Sequence, residues 1–392
     1  MNWSHLAAGL GIASIFFFPF LVSLVDFVPA FLGKHRKPIV TEQGGPEFDD
    51  FGILIPIYGN IKYLTNQNAL ARYGERVYLC TTDQESEEFY RDLDALSAER
   101  GFTVVKAPIE TEASDGAKKS TTSPIRDQIV RAAVEEVNNK YVVAIDADTV
   151  PDQPFELLFG QMEANQFEMV STRLYPSNPG RLMAKFQVIE YWLSMNLRRI
   201  IPWLVSGGCH AATTECYQAV MRRHSMFFQG NDVEVGLLAE DLGFRVGHIE
   251  FNVGTEVPDT FKPWWRQRFA WAGGEWRLGI GNIKLAPRHP LFFFYTVVIM
   301  IAMCPFRWYA VIFEPWLIPV VYIIYVVMIS ILRRREWTWV VLLYPFYATI
   351  NSLVMIPLGG YSYVKMSLKY SNWGWIDTHF RKAKPSTSET DS

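Results

Sequence analysis

Two aspartates one residue apart, Asp146 and Asp148, follow directly on the apolar run Tyr141–Ile145 and precede Pro151. Carboxylates so placed share one face of a loop and repel each other. They suit a divalent cation bridged by phosphate oxygens of a ligand. A D-x-D pair is also common in solvated turns, so its company gives it weight. Tyr58 ends Ile55-Pro56-Ile57-Tyr58, at the exit of an earlier apolar run. Asp83 stands at the end of a second, where a carboxylate can accept hydrogen bonds from a nucleobase or ribose. Lys118, Lys119 and Arg126 occupy a Gly/Ser-rich loop and the helix start after it, a place for cations that meet a diphosphate. The plainer reading of those three is a solvated basic patch.

The elements that must position these groups are legible from periodicity. Phe51–Tyr58 and Arg76–Cys80 read as short buried strands, Glu87–Arg100 as a helix, and Phe102–Val105 as a further strand. Ser123-Pro124 is a helix start, with a capping hydroxyl before proline at the first helical position. That helix runs to Asn138 and delivers the buried strand Tyr141–Ile145, which carries the D-x-D at its exit. Alternating strands and helices predict an α/β fold with a mostly parallel, Rossmann-like sheet, and ligands collect at the carboxyl ends of such strands. Further on, Leu182, Phe186, Ile189, Leu193, Leu197 and Ile200 mark one helical face. It fits a packing helix and an interfacial membrane helix equally. A second such segment surrounds Trp264, Trp265, Trp271 and Trp276.

Composition narrows the class. The chain has 392 residues, of which 49% are hydrophobic and 20% charged, which excludes wholesale disorder. A net charge of -3 lacks the basic footprint of a nucleic-acid binder, so no nucleic-acid partner is expected. The 15% aromatic content suits interfacial belts in a lipid bilayer. Cys209, His210 and Cys216 read as wall and core, not as a zinc site.

An apolar run from Leu6 to Leu32 is long enough to span hydrocarbon. Lys34, His35, Arg36 and Lys37 follow it, which favours an anchor over a signal peptide and puts the next domain in the cytosol. After Pro290 come the apolar blocks Leu291–Cys304, Ala310–Leu332 and Trp337–Leu358. The arginines at 333–335 and the basic tail both ask to be cytosolic, with one obvious span between them; Pro345 and Pro357 offer a re-entrant break. The expected organisation is an anchor over 1–37, a cytosolic domain with interfacial helices over 38–285, a transmembrane region over 286–365, and a cytosolic motif with a disordered tail over 366–392. A multi-pass protein of the plasma membrane is expected.

The ordered series IPIY, TTD, AIDADT, EYW (Glu190 to Trp192), SGG (Ser206 to Gly208), GNDVEVGLL, GF, TEVP and QRFAW resembles the membrane synthases of glycosyltransferase family 2. In layout it resembles hyaluronan, chitin and cellulose synthases and rhizobial chito-oligosaccharide synthases. The resemblance covers about residues 51–285, plus SNWGW (Ser371 to Trp375). It implies a cytosolic GT-A-type domain with α-helical transmembrane and interfacial helices, a UDP-sugar donor, and Mg2+ or Mn2+. By the same resemblance, Asp83 contacts uridine, Asp146 touches the donor, and Asp148 holds the metal. Asp232 is the general base, Gln267 opens the Gln-x-x-Arg-Trp signature on the donor side, and Trp271 closes it as an acceptor-stacking ring. Tyr58 and Lys118 join the donor set.

Three departures stand out. Asn231 precedes Asp232 where many relatives carry an acid, and Glu240-Asp241 is a second acid pair nearby. Ala270 occupies the signature arginine, which makes Arg268, ahead of Arg266, the first candidate to neutralise a leaving diphosphate. The chemistry is coherent in itself: a carboxylate takes the proton of a poor hydroxyl nucleophile while cations stabilise the departing diphosphate. The expected function is inverting transfer that elongates a polysaccharide and carries it across the membrane. One-sugar transfer to a ceramide or polyprenyl phosphate type of lipid is the alternative within enzymes. A transporter or non-catalytic sugar binder is the alternative outside them.

Overall fold

The computed structural model describes residues 27–109, 125–228, 231–294, 296 and 303–376, apart from the side chains of residues 231, 293, 303, 306 and 310. One eight-stranded sheet organises the polar part. Its strands are β1 (Phe51–Pro56), β2 (Val77–Thr82), β3 (Thr103–Ala107), β4 (Tyr141–Ile145), β5 (Thr149–Pro151), β6 (Met169–Pro176), β7 (Cys209–Thr213) and β8 (Val246–Thr255), in the order β3-β2-β1-β4-β7-β6-β8-β5. β1 pairs in parallel with β2 and β4, and β2 with β3, so β1, β2 and β4 end along one edge. The expected parallel half is present. The second half is mixed: β7 is antiparallel to β4 and β6, and β5 to β8. The cause is local. Gly208 accepts the Asp146 N–H at 3.0 Å, so β7 starts at the ligand edge and can only run back from it.

The inner strands are apolar throughout because helices cover both faces. Leu54, Val142 and Ala144 face a core completed by Ile129, Val130 and Ala133 of α2 (Ile125–Glu136). Ile53, Ile55, Val143 and Ile145 face the opposite core, with Phe89 and Leu93 of α1 (Glu87–Arg100) and Phe155 and Phe159 of α3 (Phe155–Asn165). The two-residue period of the strands thus divides one sequence run between two cores.

A third core joins this domain to the apolar helices. α4 (Leu182–Arg198) buries Phe186 and Ile189 against Trp264 of α7 (Phe261–Gly281), Ile329 of α9 (Leu317–Leu332), and Tyr344 and Tyr347 of α10 (Val340–Ile350). Its Met195 sulfur lies 3.3 Å from the Leu174 N–H of β6. The segment packs as a helix on this core. Between α4 and α7 lie α5 (Thr214–Arg223) and α6 (Asn231–Asp241), and α8 (Met303–Phe313) precedes α9.

The helix α11 (Ile356–Tyr370) continues α10 through one wide turn at Asn351–Met355. Pro357 has no N–H for the carbonyl four residues back, and a wide turn absorbs that loss without a break. The re-entrant break offered by Pro345 and Pro357 is therefore not made. α11 lies close on α7: a Cβ at Gly359 would meet the Gly273 nitrogen at 2.5 Å, so only glycine permits the approach.

Among the described residues one helix, Val340–Tyr370, is long and apolar enough to cross a membrane; Leu317–Leu332 is apolar but shorter. The multi-pass arrangement expected from the sequence is not supported by these lengths. Most of the expected N-terminal anchor, part of the block Leu291–Cys304, the start at Ser123-Pro124 and the tail from 377 onward lie outside the described residues.

Candidate active site

The carboxyl edge of the sheet opens into a cavity of about 840 Å³. β4 ends at Ile145 and delivers Asp146 and Asp148 to its wall; α6 brings Asp232 from its first turn, and α7 brings Gln267, Trp271 and Glu275. Ser206, Gly207 and Gly208 form the floor between β4 and α6. A Cβ at Gly207 would overlap the Asp232 carboxylate, so the glycine lets the acid sit against the floor. Thr255 and Glu256 close the wall from the end of β8.

Arg126, at the start of α2, ties the parts together. Its Nε donates to Asp146 Oδ1 at 3.0 Å, its Nη1 to Asp232 Oδ1 at 3.0 Å, and its Nη2 to the Gly207 carbonyl at 2.6 Å. The surrounding acids Asp146, Asp232 and Asp127 hold the guanidinium charged against the cost of burial. Burial pushes the Asp146 carboxyl up to about 6; Arg126 opposes that rise, and Asp232 and Asp148 add to it. Burial also raises Asp148, against a 3.1 Å hydrogen bond from Thr149 Oγ1.

Behind this wall, Arg268 is buried and turned to Glu190, at 2.5 Å from Oε2. It also reaches Gln187 Oε1 at 3.2 Å and the Tyr347 hydroxyl at 3.3 Å, and that hydroxyl donates to Glu190 at 2.6 Å. The guanidinium lies over the Trp271 ring, 4.1 Å from its centre.

Glycosyl transferase family group 2 matches residues 141–356, more than half of the chain. The chain belongs to this family. A curated relative, an N-acetylglucosaminyltransferase of Rhizobium meliloti (strain 1021), is 27% identical over 162 residues, which is 37% of this chain and 38% of the relative. The match thus spans well under half the length of that relative. Among solved structures, the mannosyltransferase PcManGT from Pyrobaculum calidifontis, in complex with GDP-Man and Mn2+, superimposes with a TM-score of 0.52. It is 10% identical, over 90% of this chain and 97% of the other, a likeness of fold alone. Glucosyl-3-phosphoglycerate synthase from Mycobacterium tuberculosis gives a TM-score of 0.39 at 14% identity, over 60% of this chain and 84% of the other, too loose to argue from. The fold is the family's mixed α/β, GT-A-like core.

Six of the residues expected from the sequence line one cavity: Arg126, Asp146, Asp148, Asp232, Gln267 and Trp271. Tyr58 and Asp83 sit at the same sheet edge but do not line it. Tyr58 is 40% exposed, with its hydroxyl raised by burial while Arg126 opposes and Asp146 adds. Asp83 is exposed and accepts the Ile109 N–H at 3.4 Å. Lys118 and Lys119 lie outside the described residues.

Arg268 departs from expectation. It does not line the cavity, and its Nη2 is turned to Glu190, Gln187 and Tyr347. Ala270 is off the lining face too, so the described cation nearest the aspartates is Arg126. The rival acids Glu240 and Asp241 lie outside the cavity. Asp241 is held by Arg223 at 2.7 Å and Arg288 at 3.0 Å. His210 spends both ring nitrogens on Ser206 O and the Tyr217 hydroxyl, each at 3.0 Å.

Sequence reasoning assigned no role to Glu190, Glu275 or Tyr347. Glu275 had a usable signal: it stands four residues after Trp271 and eight after Gln267, on the same helical face. Glu190 stood in the EYW motif without a role attached, and for Tyr347 nothing but the tertiary contact was informative.

No group of three His, Cys, Asp or Glu side chains among the described residues is placed to hold a metal alone. The donor set still fits Mg2+ or Mn2+, which are commonly held by one or two carboxylates plus substrate phosphates. Asp148 fits best, since Asp146 already faces Arg126.

Proposed function

We propose that this chain is an inverting glycosyltransferase that takes a hexose from a UDP-sugar and adds it to a growing saccharide. Asp146 orients the donor, Asp148 would hold a divalent cation, and Asp232 takes the proton of the acceptor hydroxyl. A bound cation would supply charge to the leaving diphosphate, and Arg126 adds a fixed one beside it. Attack opposite the departing group in one displacement inverts the anomeric centre. Tyr58, Asp83, Lys118 and Gln267 are assigned to the donor, and Trp271 to the acceptor.

One observation carries this reading: Asp146 and Asp232, far apart in sequence, meet on one guanidinium in the wall of one cavity. Elongation is supported by where the cavity leads. Past the acids it continues among Val321, Tyr322, Tyr325, Tyr344 and Phe346 of the apolar helices, and an aromatic-lined path suits passage of a sugar chain. The proposed layout keeps a catalytic domain over 38–285 on the cytosolic face, with the segments on either side associating with the bilayer. Transfer of a single sugar to a lipid alcohol is the second reading, favoured by the apolar character of that same extension.

The test uses purified full-length protein, a panel of UDP-sugars, and Mg2+ or Mn2+. UDP release that depends on donor and cation is expected, with a ladder of products on a sizing gel. Asp232→Asn should abolish transfer while retaining UDP binding, and Asp148→Asn should lose the cation dependence. No UDP release with any donor, or full turnover in both variants, would overturn the assignment; a single product would select the second reading.

A further inference from the structure

Gln267, Trp271 and Glu275 follow one another at four-residue steps along α7, and all three line the cavity. At the helical rise they span about 12 Å along its wall, room for more than one sugar ring. Each is chemically ready for a hydroxylated ligand. Gln267 Oε1 is buried with no hydrogen-bond partner. The Trp271 ring is held on Arg268 yet stays 43% exposed. Glu275 makes no ion pair or hydrogen bond among the described residues, and the Arg268 Nη2 is turned instead to Glu190, Gln187 and Tyr347.

Charge adds a second, independent observation. Among the described residues, six carboxylates but only three guanidiniums line the cavity. Arg126 is already shared by Asp146 and Asp232. A divalent cation and a diphosphate roughly cancel, and Arg268 behind the wall neutralises Glu190, so an incoming acceptor meets the smaller acid excess that remains. Like charges facing each other without water between them reject a ligand as effectively as good contacts attract one.

We infer that Glu275 is an acceptor-positioning residue and that, with Glu190 behind it, it restricts the acceptor to a saccharide end bearing neutral hydroxyls and excludes a phosphate or uronate there. Burial pushes the Glu275 carboxyl up to about 7, with Arg268 opposing and Glu190 adding. A carboxyl in that range can both donate to and accept from sugar hydroxyls. Glu190 acts through Arg268, which it holds beneath the Trp271 ring.

This inference rests on the function proposed above, and one set of measurements separates the two. Purified full-length protein is given a UDP-sugar that supports UDP release. Neutral oligosaccharides are compared with the same sugars carrying a terminal phosphate or uronate. Neutral acceptors should be preferred by at least about tenfold in kcat/KM. Glu275→Ala should raise acceptor KM by about tenfold, more than it lowers kcat, with UDP binding retained. Glu275→Gln keeps the hydrogen bonds and should recover most of the loss for neutral acceptors, and it covers the case in which the alanine variant fails to fold. Equal use of anionic acceptors, or an unchanged acceptor KM in both variants while UDP still binds, would overturn the inference alone. Absence of UDP binding in the unsubstituted protein would sink both readings together.

Discussion

Arg126 Nη1 lies 3.0 Å from Asp232 Oδ1, and the same guanidinium holds Asp146 by its Nε. One cation therefore sets the separation between the acid at the end of β4 and the acid at the start of α6. It also limits how strongly those carboxylates repel each other.

Removing that cation should be severe. Arg126→Ala leaves two facing carboxylates uncompensated, and transfer should fall by about a hundredfold or more. Arg126→Lys should recover little, since an ammonium cannot reproduce the fork to Asp146, Asp232 and the Gly207 carbonyl. Steady-state kinetics beside a thermal melt checks this. Near-normal kcat/KM in a folded Arg126→Ala protein would contradict it.

Gly207→Ala tests the floor of the site. The added methyl overlaps the Asp232 carboxylate, which must swing away from Arg126. Turnover should drop about tenfold or more, while stability changes by no more than about 1–2 kcal/mol, because a side chain can move aside more cheaply than backbone. Unchanged activity would mean that the position of Asp232 against Gly207 does not matter.

Glu234, two residues after Asp232, is fully buried and joins α6 to α7 through Arg277 and Asn282, at 2.7 Å, and to the end of α5 through His224, at 2.9 Å. Burial alone would raise its carboxyl; Arg277 and His224 overcome that and hold it down at about 2. A depressed carboxylate contributes stability above its unfolded value near 4.5, and that contribution fades as pH falls toward 2. Arg277→Met should cost about 3–5 kcal/mol by leaving Glu234 charged and unpaired. Without Arg277 the carboxyl is no longer held down, so the loss of stability between about pH 4.5 and 2 should flatten, as urea melts across pH would reveal.

His289 gives a switch of opposite sign. Asp241, at 3.4 Å, and Glu240, at 3.5 Å, lift its imidazole from 6.5 to about 9. Its stabilising contribution is complete below about pH 6.5 and is lost as pH rises through 9. The protein should therefore lose about 2 kcal/mol between pH 7 and 10, and His289→Asn should flatten that slope. Parallel slopes for the two proteins would remove the assignment.

The local rules were readable in the chain itself. Tyr141–Ile145 had to be a buried strand because five apolar residues precede a polar exit, and that placed Asp146 and Asp148 at a ligand edge. The helix over Glu87–Arg100 was fixed by its Ser86 cap and by Gly101, which adopts the left-handed conformation. The four-residue spacing of Gln267, Trp271 and Glu275 was equally present in the sequence. Tertiary structure alone decided which charges meet. Arg126 found Asp232 because α2 and α6 both begin at the β4 edge, whereas Arg268, adjacent in sequence to Gln267, was captured by Glu190 from another helix. The direction of β7 and the unbroken path from α10 into α11 were likewise settled by packing. Sequence spacing specifies the face of one element, but an ion pair between elements depends on how two faces are brought together, and that is set by the cores behind them.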